Sequence, residues 1–149
     1  MKARDRRLER ICAVEREYRT ASIATAILGS QLRADPSALN VHRLRFQDFT
    51  KLTDNLEPTY LIRLFAEFEA GLREAWTMFY GRSGRIRTSD LLESAAARCL
   101  IPQDRLDGAD AVREYRNSLV HETAPAVGID LAEAKKHLCR YFAYLPLDW

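Results

Sequence analysis

The residues best suited to chemistry lie in one short run, Val112-Arg113-Glu114-Tyr115-Arg116-Asn117-Ser118-Leu119-Val120-His121. On a helix at about 100° per residue, with Arg116 at zero, Val112, Tyr115 and Leu119 fall between about −100° and −40° and form a buried stripe. Arg113, Asn117 and His121 fall at about 60°, 100° and 140°. The run thus predicts a polar face beside the core face. It carries two guanidiniums, an amide and an imidazole, and no acidic residue of this run lies inside that arc. An imidazole can act as general base or acid near neutral pH. A guanidinium can stabilise charge developing on a phosphoryl oxygen. The amide of Asn117, four residues before His121, can hydrogen-bond the imidazole or a ribose hydroxyl. Such a set suffices to cleave RNA without metal. The 2′-OH is deprotonated and attacks its own phosphate while Arg stabilises the pentavalent state. DNA lacks that hydroxyl and would be inert. An Arg and a His five apart are also frequent on ordinary helices, where a C-terminal His simply meets the helix dipole.

Other chemistry-bearing groups are weaker. The run Gly81-Arg82-Ser83-Gly84-Arg85-Ile86-Arg87 is a basic glycine loop, and Arg82, Arg85 and Arg87 are candidates, with Arg113, for gripping an RNA backbone. It lacks the spacing and preceding strand of a P-loop. His42 and His137 have no partner at metal-ligand spacing. Cys12, Cys99 and Cys139 are odd in number and far apart, which favours core filling over a disulfide framework or a zinc site. No metal and no cofactor is expected. The carboxylates alternate with Arg along helices as solvated faces do, and nothing supports a two-metal nuclease.

The elements that must hold this face are helices. Leu8, Ile11, Cys12, Val14, Tyr18, Ile23, Ile27 and Leu28 recur at helical steps and predict an amphipathic helix over about 5–32, ended by Pro36. Residues 37–57 show no clean period and read as an irregular connection, with a short helix over 46–55 as an option. Pro58 marks a helix start, and Leu61, Leu64, Phe65, Phe68, Leu72, Trp76 and Phe79 give the stripe of a helix over about 59–80. A third helix runs from the cap candidates Thr88-Ser89-Asp90 to about Leu100, a fourth over about 105–121, and a fifth over about 131–144 with Asp130 as N-cap. No period-two strand pattern survives. The expected fold is all-α, a single domain spanning 1–149, built as a four- to five-helix up-and-down bundle.

Bulk composition agrees. A chain of 149 residues with 47% hydrophobic and 30% charged residues is that of one globular domain. The 23 Lys and Arg nearly balance 21 Asp and Glu, so net charge alone does not announce a nucleic-acid binder. Arg dominates the basic residues, since Lys occurs only at 2, 51, 135 and 136; either phosphate recognition or a GC-rich genome produces that bias. The charged first ten residues are followed by no apolar leader segment, and no run is apolar enough to span a membrane, so the cytoplasm is the expected location.

The segment Glu114 to His121 resembles the R-[polar]-x3-H motif of HEPN domains, with Asn117 in the polar slot. The resemblance covers roughly residues 59–144: the motif lies late in the chain with one helix after it, and residues 61–69 resemble the family's early helix with an acidic residue, matched by Glu67 or Glu69. It implies a bundle of four or five helices and a metal-independent endoribonuclease of the kind found in toxin–antitoxin, abortive-infection and other defence systems. It implies RNA as substrate, a homodimer in which two motif helices form one composite site, and a cognate antitoxin or defence partner. By position, Arg116 would contact the scissile phosphate, His121 would serve acid/base chemistry, and Asn117 would orient the site or bind RNA. Toxins of this family regulated by nucleotidyltransferase antitoxins carry a Tyr two residues after the His. Thr123 stands there in this chain, so that regulation is not implied. Some HEPN domains are inactive scaffolds, which leaves a non-catalytic RNA- or protein-binding or dimerisation module as the alternative. A helical DNA-binding regulator is weaker, because no helix-turn-helix with an Arg-bearing recognition helix stands out.

Overall fold

Two helices far longer than the rest set the frame. The computed structural model, which describes residues 2–81, 84–124 and 127–149, places helix α1 at Ala3–Ala34 and helix α2 at Phe46–Tyr80. A 3-10 turn at Asn40–His42 links them. Helices α3 (Thr88–Cys99), α4 (Gln103–Val120) and α5 (Leu131–Phe142) complete the chain, and no strand occurs among the described residues. The described residues form an all-helical architecture with five α-helices.

One expectation needs correction. Helix α2 does not begin at Pro58; it begins at Phe46 and passes through the proline, so residues 46–57 are helical rather than irregular. An interior proline loses one backbone hydrogen bond and costs about 3 kcal/mol. Antiparallel pairing with α1 offsets this. Phe49 and Leu56, seven residues apart, lie on the side of α2 toward α1, while Leu52 is 47% exposed. Phe49 packs against Gly29, where an added methyl would come within 3.2 Å of its ring. The start of α2 is fixed by Asp48, whose carboxylate accepts the Arg45 backbone N–H at 2.8 Å.

Ion pairs and caps set the directions. Arg7 near the start of α1 reaches both Glu67 and Glu74 of α2, and Glu17 meets Arg63 at 2.7 Å, so the two helices are antiparallel. Lys135 of α5 pairs with Glu15. The chain after α5 returns to the start of α1, where the Arg4 guanidinium donates to the carbonyls of Ala143 at 2.8 Å and Leu145 at 3.0 Å. Asp130 caps α5 as expected, accepting the Glu133 N–H at 2.7 Å.

The C-terminal half of α2 is the central post, touched by all four other helices. Its Phe68 is fully buried, with ring centroids 5.7 Å from each of Phe65, Tyr141 and Phe142. Tyr141 donates its buried hydroxyl to the Leu92 carbonyl at 2.7 Å, which ties α5 to α3. Burial holds the Tyr141 phenol neutral far above its usual range. The three cysteines are free and half-buried, and burial pushes the Cys139 thiol up to about 11. No described helix is long and apolar enough to cross a membrane.

At Gly71, α2 lies close against Phe142 of α5. A β-carbon there would lie 2.5 Å from the ring of Phe142, which is fully buried. Gly71→Ala is therefore expected to destabilise the fold by about 1–3 kcal/mol despite alanine's better helix propensity. Chemical denaturation checks this; an unchanged midpoint would mean that the ring relocates freely.

Candidate functional site

Helix α4 buries Val112 completely and leans Tyr115 and Leu119 on the core, which is the stripe expected from the spacing. That rotation turns Arg113, Arg116 and Asn117 toward the N-terminus of α3. Together with Phe65, Arg87, Thr88 and Ser89 they line a cavity of about 390 Å³. Three guanidiniums and no carboxylate form its lining. The first turn of α3 adds backbone N–H groups and the positive end of a helix dipole, and no side chain caps it. Such a wall suits an anion.

The loop before α3 is positioned by a network the sequence did not reveal. Gly81 takes a left-handed conformation at φ 64° and ends α2, letting the chain fold back along it. Arg73 then donates to the Ile86 carbonyl at 3.1 Å and to Glu69 at 3.1 and 2.5 Å. Thr88 donates its hydroxyl to the same Glu69 carboxylate at 2.8 Å. Glu69 thus faces the cavity side of α2, whereas Glu67 faces α1 through Arg7. Of the two acidic candidates, only Glu69 is linked to the motif's surroundings. Removing it with Glu69→Ala leaves Thr88 and Arg73 without their acceptor. The expected loss is about 1–3 kcal/mol, with the 84–88 segment the first to gain amide exchange.

Arg116 is the most informative side chain. Its guanidinium stacks 5.8 Å from the centroid of the buried Phe65 ring. Nη1 donates to the Asn117 side-chain oxygen at 3.0 Å. Nε is buried and meets no acceptor, and no carboxylate pairs with Arg116 among the described residues. A buried donor without a partner costs about 1–3 kcal/mol, more when charged. An anion in the cavity would offset that cost through the guanidinium's charge, not by a bond to the solvent-inaccessible Nε. The Asn117 amide therefore serves Arg116 rather than His121.

Arg113 departs from expectation. It lines the cavity, but it is held by Asp110 at 2.6 Å and Glu114 at 3.5 Å, and its pKa is raised chiefly by the hydrogen bond to Asp110. Asp110 stands about 120° round the helix from Arg116, inside the supposedly acid-free arc, two turns before it. Arg113 is thus already neutralised within its own helix.

His121 lies elsewhere. It is the exposed C-cap of α4, and its backbone N–H donates to the Asn117 carbonyl at 3.0 Å. Glu122 follows with φ 53°, and the Thr123 N–H reaches the Ser118 carbonyl at 3.0 Å, a Schellman-type ending without glycine. About 7.5 Å of rise and 140° of turn separate His121 from Arg116, and the imidazole does not line the cavity. Arg87 lines it as the N-cap residue of α3, Arg85 is exposed and outside it, and Arg82 lies outside the described residues. Sequence reasoning missed Thr88, Ser89 and Phe65, which read as cap and core; only the fold reveals their second role.

Compared with family models, curated proteins and solved structures, the chain has no match. The site therefore rests on its own geometry. Among the described residues no three His, Cys, Asp or Glu side chains converge as metal ligands would.

If the cavity holds a phosphate, an RNA oligomer made uncleavable by 2′-O-methylation should stabilise the protein. At a hundredfold excess over its dissociation constant the gain is about 2.7 kcal/mol. Arg116→Met keeps the packing on Phe65 and removes the charge. It is expected to abolish the rise in melting temperature, measured by calorimetry.

Proposed function

We propose that this chain is a metal-independent endoribonuclease of HEPN type, acting as a homodimer and serving as a toxin or phage-defence effector. The observation that carries the reading is Arg116: a guanidinium with no carboxylate partner among the described residues and a buried, unmatched Nε, set in a cavity lined by Arg87, Arg113 and no carboxylate at a helix N-terminus. In the proposed reaction, His121 takes the proton from a ribose 2′-OH. The 2′-oxygen forms a bond to the adjacent phosphorus and the bond to the 5′-oxygen breaks. The products are a 2′,3′-cyclic phosphate and a 5′-hydroxyl, which receives a proton. Arg116 stabilises the charge on the phosphoryl oxygens, and Asn117 holds Arg116. Because His121 does not line its own cavity, the imidazole facing a given Arg116 would come from the second subunit.

The test is cleavage of a labelled RNA in excess chelator by the native chain, Arg116→Met and His121→Ala. A substrate with a single 2′-deoxy nucleotide at the cut site should resist. Equal cleavage by all three proteins, or none by the native one, removes the proposal.

One observation favours a second reading. The exposed, outlying position of His121 is what a non-catalytic RNA- or protein-binding module would also show. Binding of RNA that depends on Arg116 but not on His121, without cleavage, would select it.

A further inference from the structure

Cys12 and Cys139 are far apart in the chain, but the fold brings them together. Helices α1 and α5 run antiparallel, since Glu15 pairs with Lys135 and the Arg4 guanidinium reaches the Ala143 and Leu145 carbonyls at 2.8 and 3.0 Å. Cys12 lies three residues before Glu15, and Cys139 lies four residues after Lys135. Residues so spaced share one helix face. Because the helices are antiparallel, both steps lead in the same direction in space, by about 4.5 and 6 Å of rise. The two thiols therefore stand opposite one another, about one turn from the ion pair. The electrostatics agree. Burial raises the Cys139 thiol most, and Cys12 is the next cause. Lys135 is raised chiefly by its hydrogen bond to Glu15, and both cysteines add to the rise. Such influences weaken with distance and mark near neighbours. Cα atoms of α1 and α5 approach within 8 Å, and a disulfide spans Cα separations up to about 7 Å.

We propose that Cys12 and Cys139 are a redox pair, which a hydroperoxide closes into a reversible disulfide joining α1 to α5. The Cys12 thiolate attacks one oxygen of hydrogen peroxide. An S–O bond forms and the O–O bond breaks. The leaving hydroxide takes up the proton that Cys12 released, giving water and a Cys12 sulfenic acid. The Cys139 sulfur then attacks the Cys12 sulfur. The S–S bond forms, the S–O bond breaks, and the second hydroxide leaves as water with the Cys139 proton. Two thiols are oxidised while one peroxide is reduced to two waters. The surroundings set the order. Cys139 leans on the core, and burial pushes its thiol up to about 11, so it resolves the sulfenic acid rather than starting the reaction. The Lys135 ammonium acts against that rise and eases the second attack. In a reducing compartment the pair rests as thiols, and closure records exposure to peroxide. Cys99 ends α3, on a different helix, and is the internal control.

The redox pair is independent of the nuclease reading, since neither cysteine lines the cavity at Arg116. In the experiment the full chain is reduced, freed of reductant, exposed to a small excess of hydrogen peroxide and blocked with N-ethylmaleimide. Peptide mass spectrometry then maps the cysteines. The expected product is a Cys12–Cys139 cross-linked peptide within one chain, lighter than the two thiol peptides by the two thiol hydrogens. It should form at a rate independent of protein concentration, with Cys99 still alkylated, and dithiothreitol should restore all the free thiols. The mapping uses the native chain and does not depend on a variant folding. Closing a loop of most of the chain should also raise the melting temperature by about 5 °C or more, a rise that Cys12→Ser should not show. Oxidation that stops at a sulfinic acid on Cys12 overturns the proposal. So does a cross-link to Cys99 or to a second chain, or a Cys12 and Cys139 that both remain alkylatable.

Discussion

Alanine in place of His121 is expected to slow RNA cleavage by about 10²–10⁴-fold, the usual worth of a positioned general acid or base. Stability should hardly move. His121 is exposed at the end of α4, and the helix ending is made by backbone groups of Asn117, Ser118 and Thr123 rather than by the imidazole. Surface changes of this kind stay within about 0.5 kcal/mol. Arg116→Met should lose a comparable factor while keeping its contact with Phe65, and the double variant should be little worse than either alone because the groups act as one unit. Mixing the two single variants gives a sharper test of the composite site. If each site takes Arg116 from one subunit and His121 from the other, half of the randomly mixed dimers regain one of their two sites. About a quarter of native activity should then return. Its failure to return, with heterodimers shown to form, would place both groups in one subunit.

The largest structural effect is expected at Phe68. Its ring contacts Phe65 on its own helix and Tyr141 and Phe142 on α5, at the centre of the bundle. Phe68→Ala removes the transfer energy of a buried ring and leaves a cavity that rigid neighbours cannot fill, at a cost of about 3–5 kcal/mol. In a domain of this size that is a fall in melting temperature of roughly 6–20 °C. Phe68→Leu keeps most of the volume and should cost about 1.5 kcal/mol or less. A small effect for both, read by calorimetry, would mean that α5 repacks against α2 without Phe68. The same change should loosen the wall behind Arg116, because Phe65 packs on Phe68 and also contacts the guanidinium.

These two predictions touch different kinds of information. Helix existence and the buried stripe of α4 were legible because both follow from period 3.6 within one segment. Val112 is buried, and Asp130 caps α5. The α4 pairing of Arg113 with Asp110 was also local, at three residues' spacing, and was missed only because Asp110 lies just outside the motif. The helical character of 46–57 was legible only as the option of a short helix over 46–55, since no clean apolar period holds there. Pro58 concealed it, because a proline's preference for a helix start is a statistical tendency that tertiary pairing can override.

By itself, then, the sequence determined that this protein is helical, where four of its five helices lie, and that α4 carries Arg116, Asn117 and His121 beside a core stripe. Only the tertiary structure decided that Arg116 sits over Phe65 among Thr88, Ser89 and Arg87, that Glu69 rather than Glu67 is bonded to the cavity's Thr88, that His121 stands outside it, and that Ile23 and Ile27 are left uncovered. The reason is range. A helix's faces are fixed by residues three and four apart, whereas a site is fixed by which faces meet, and that depends on how all five helices share one core.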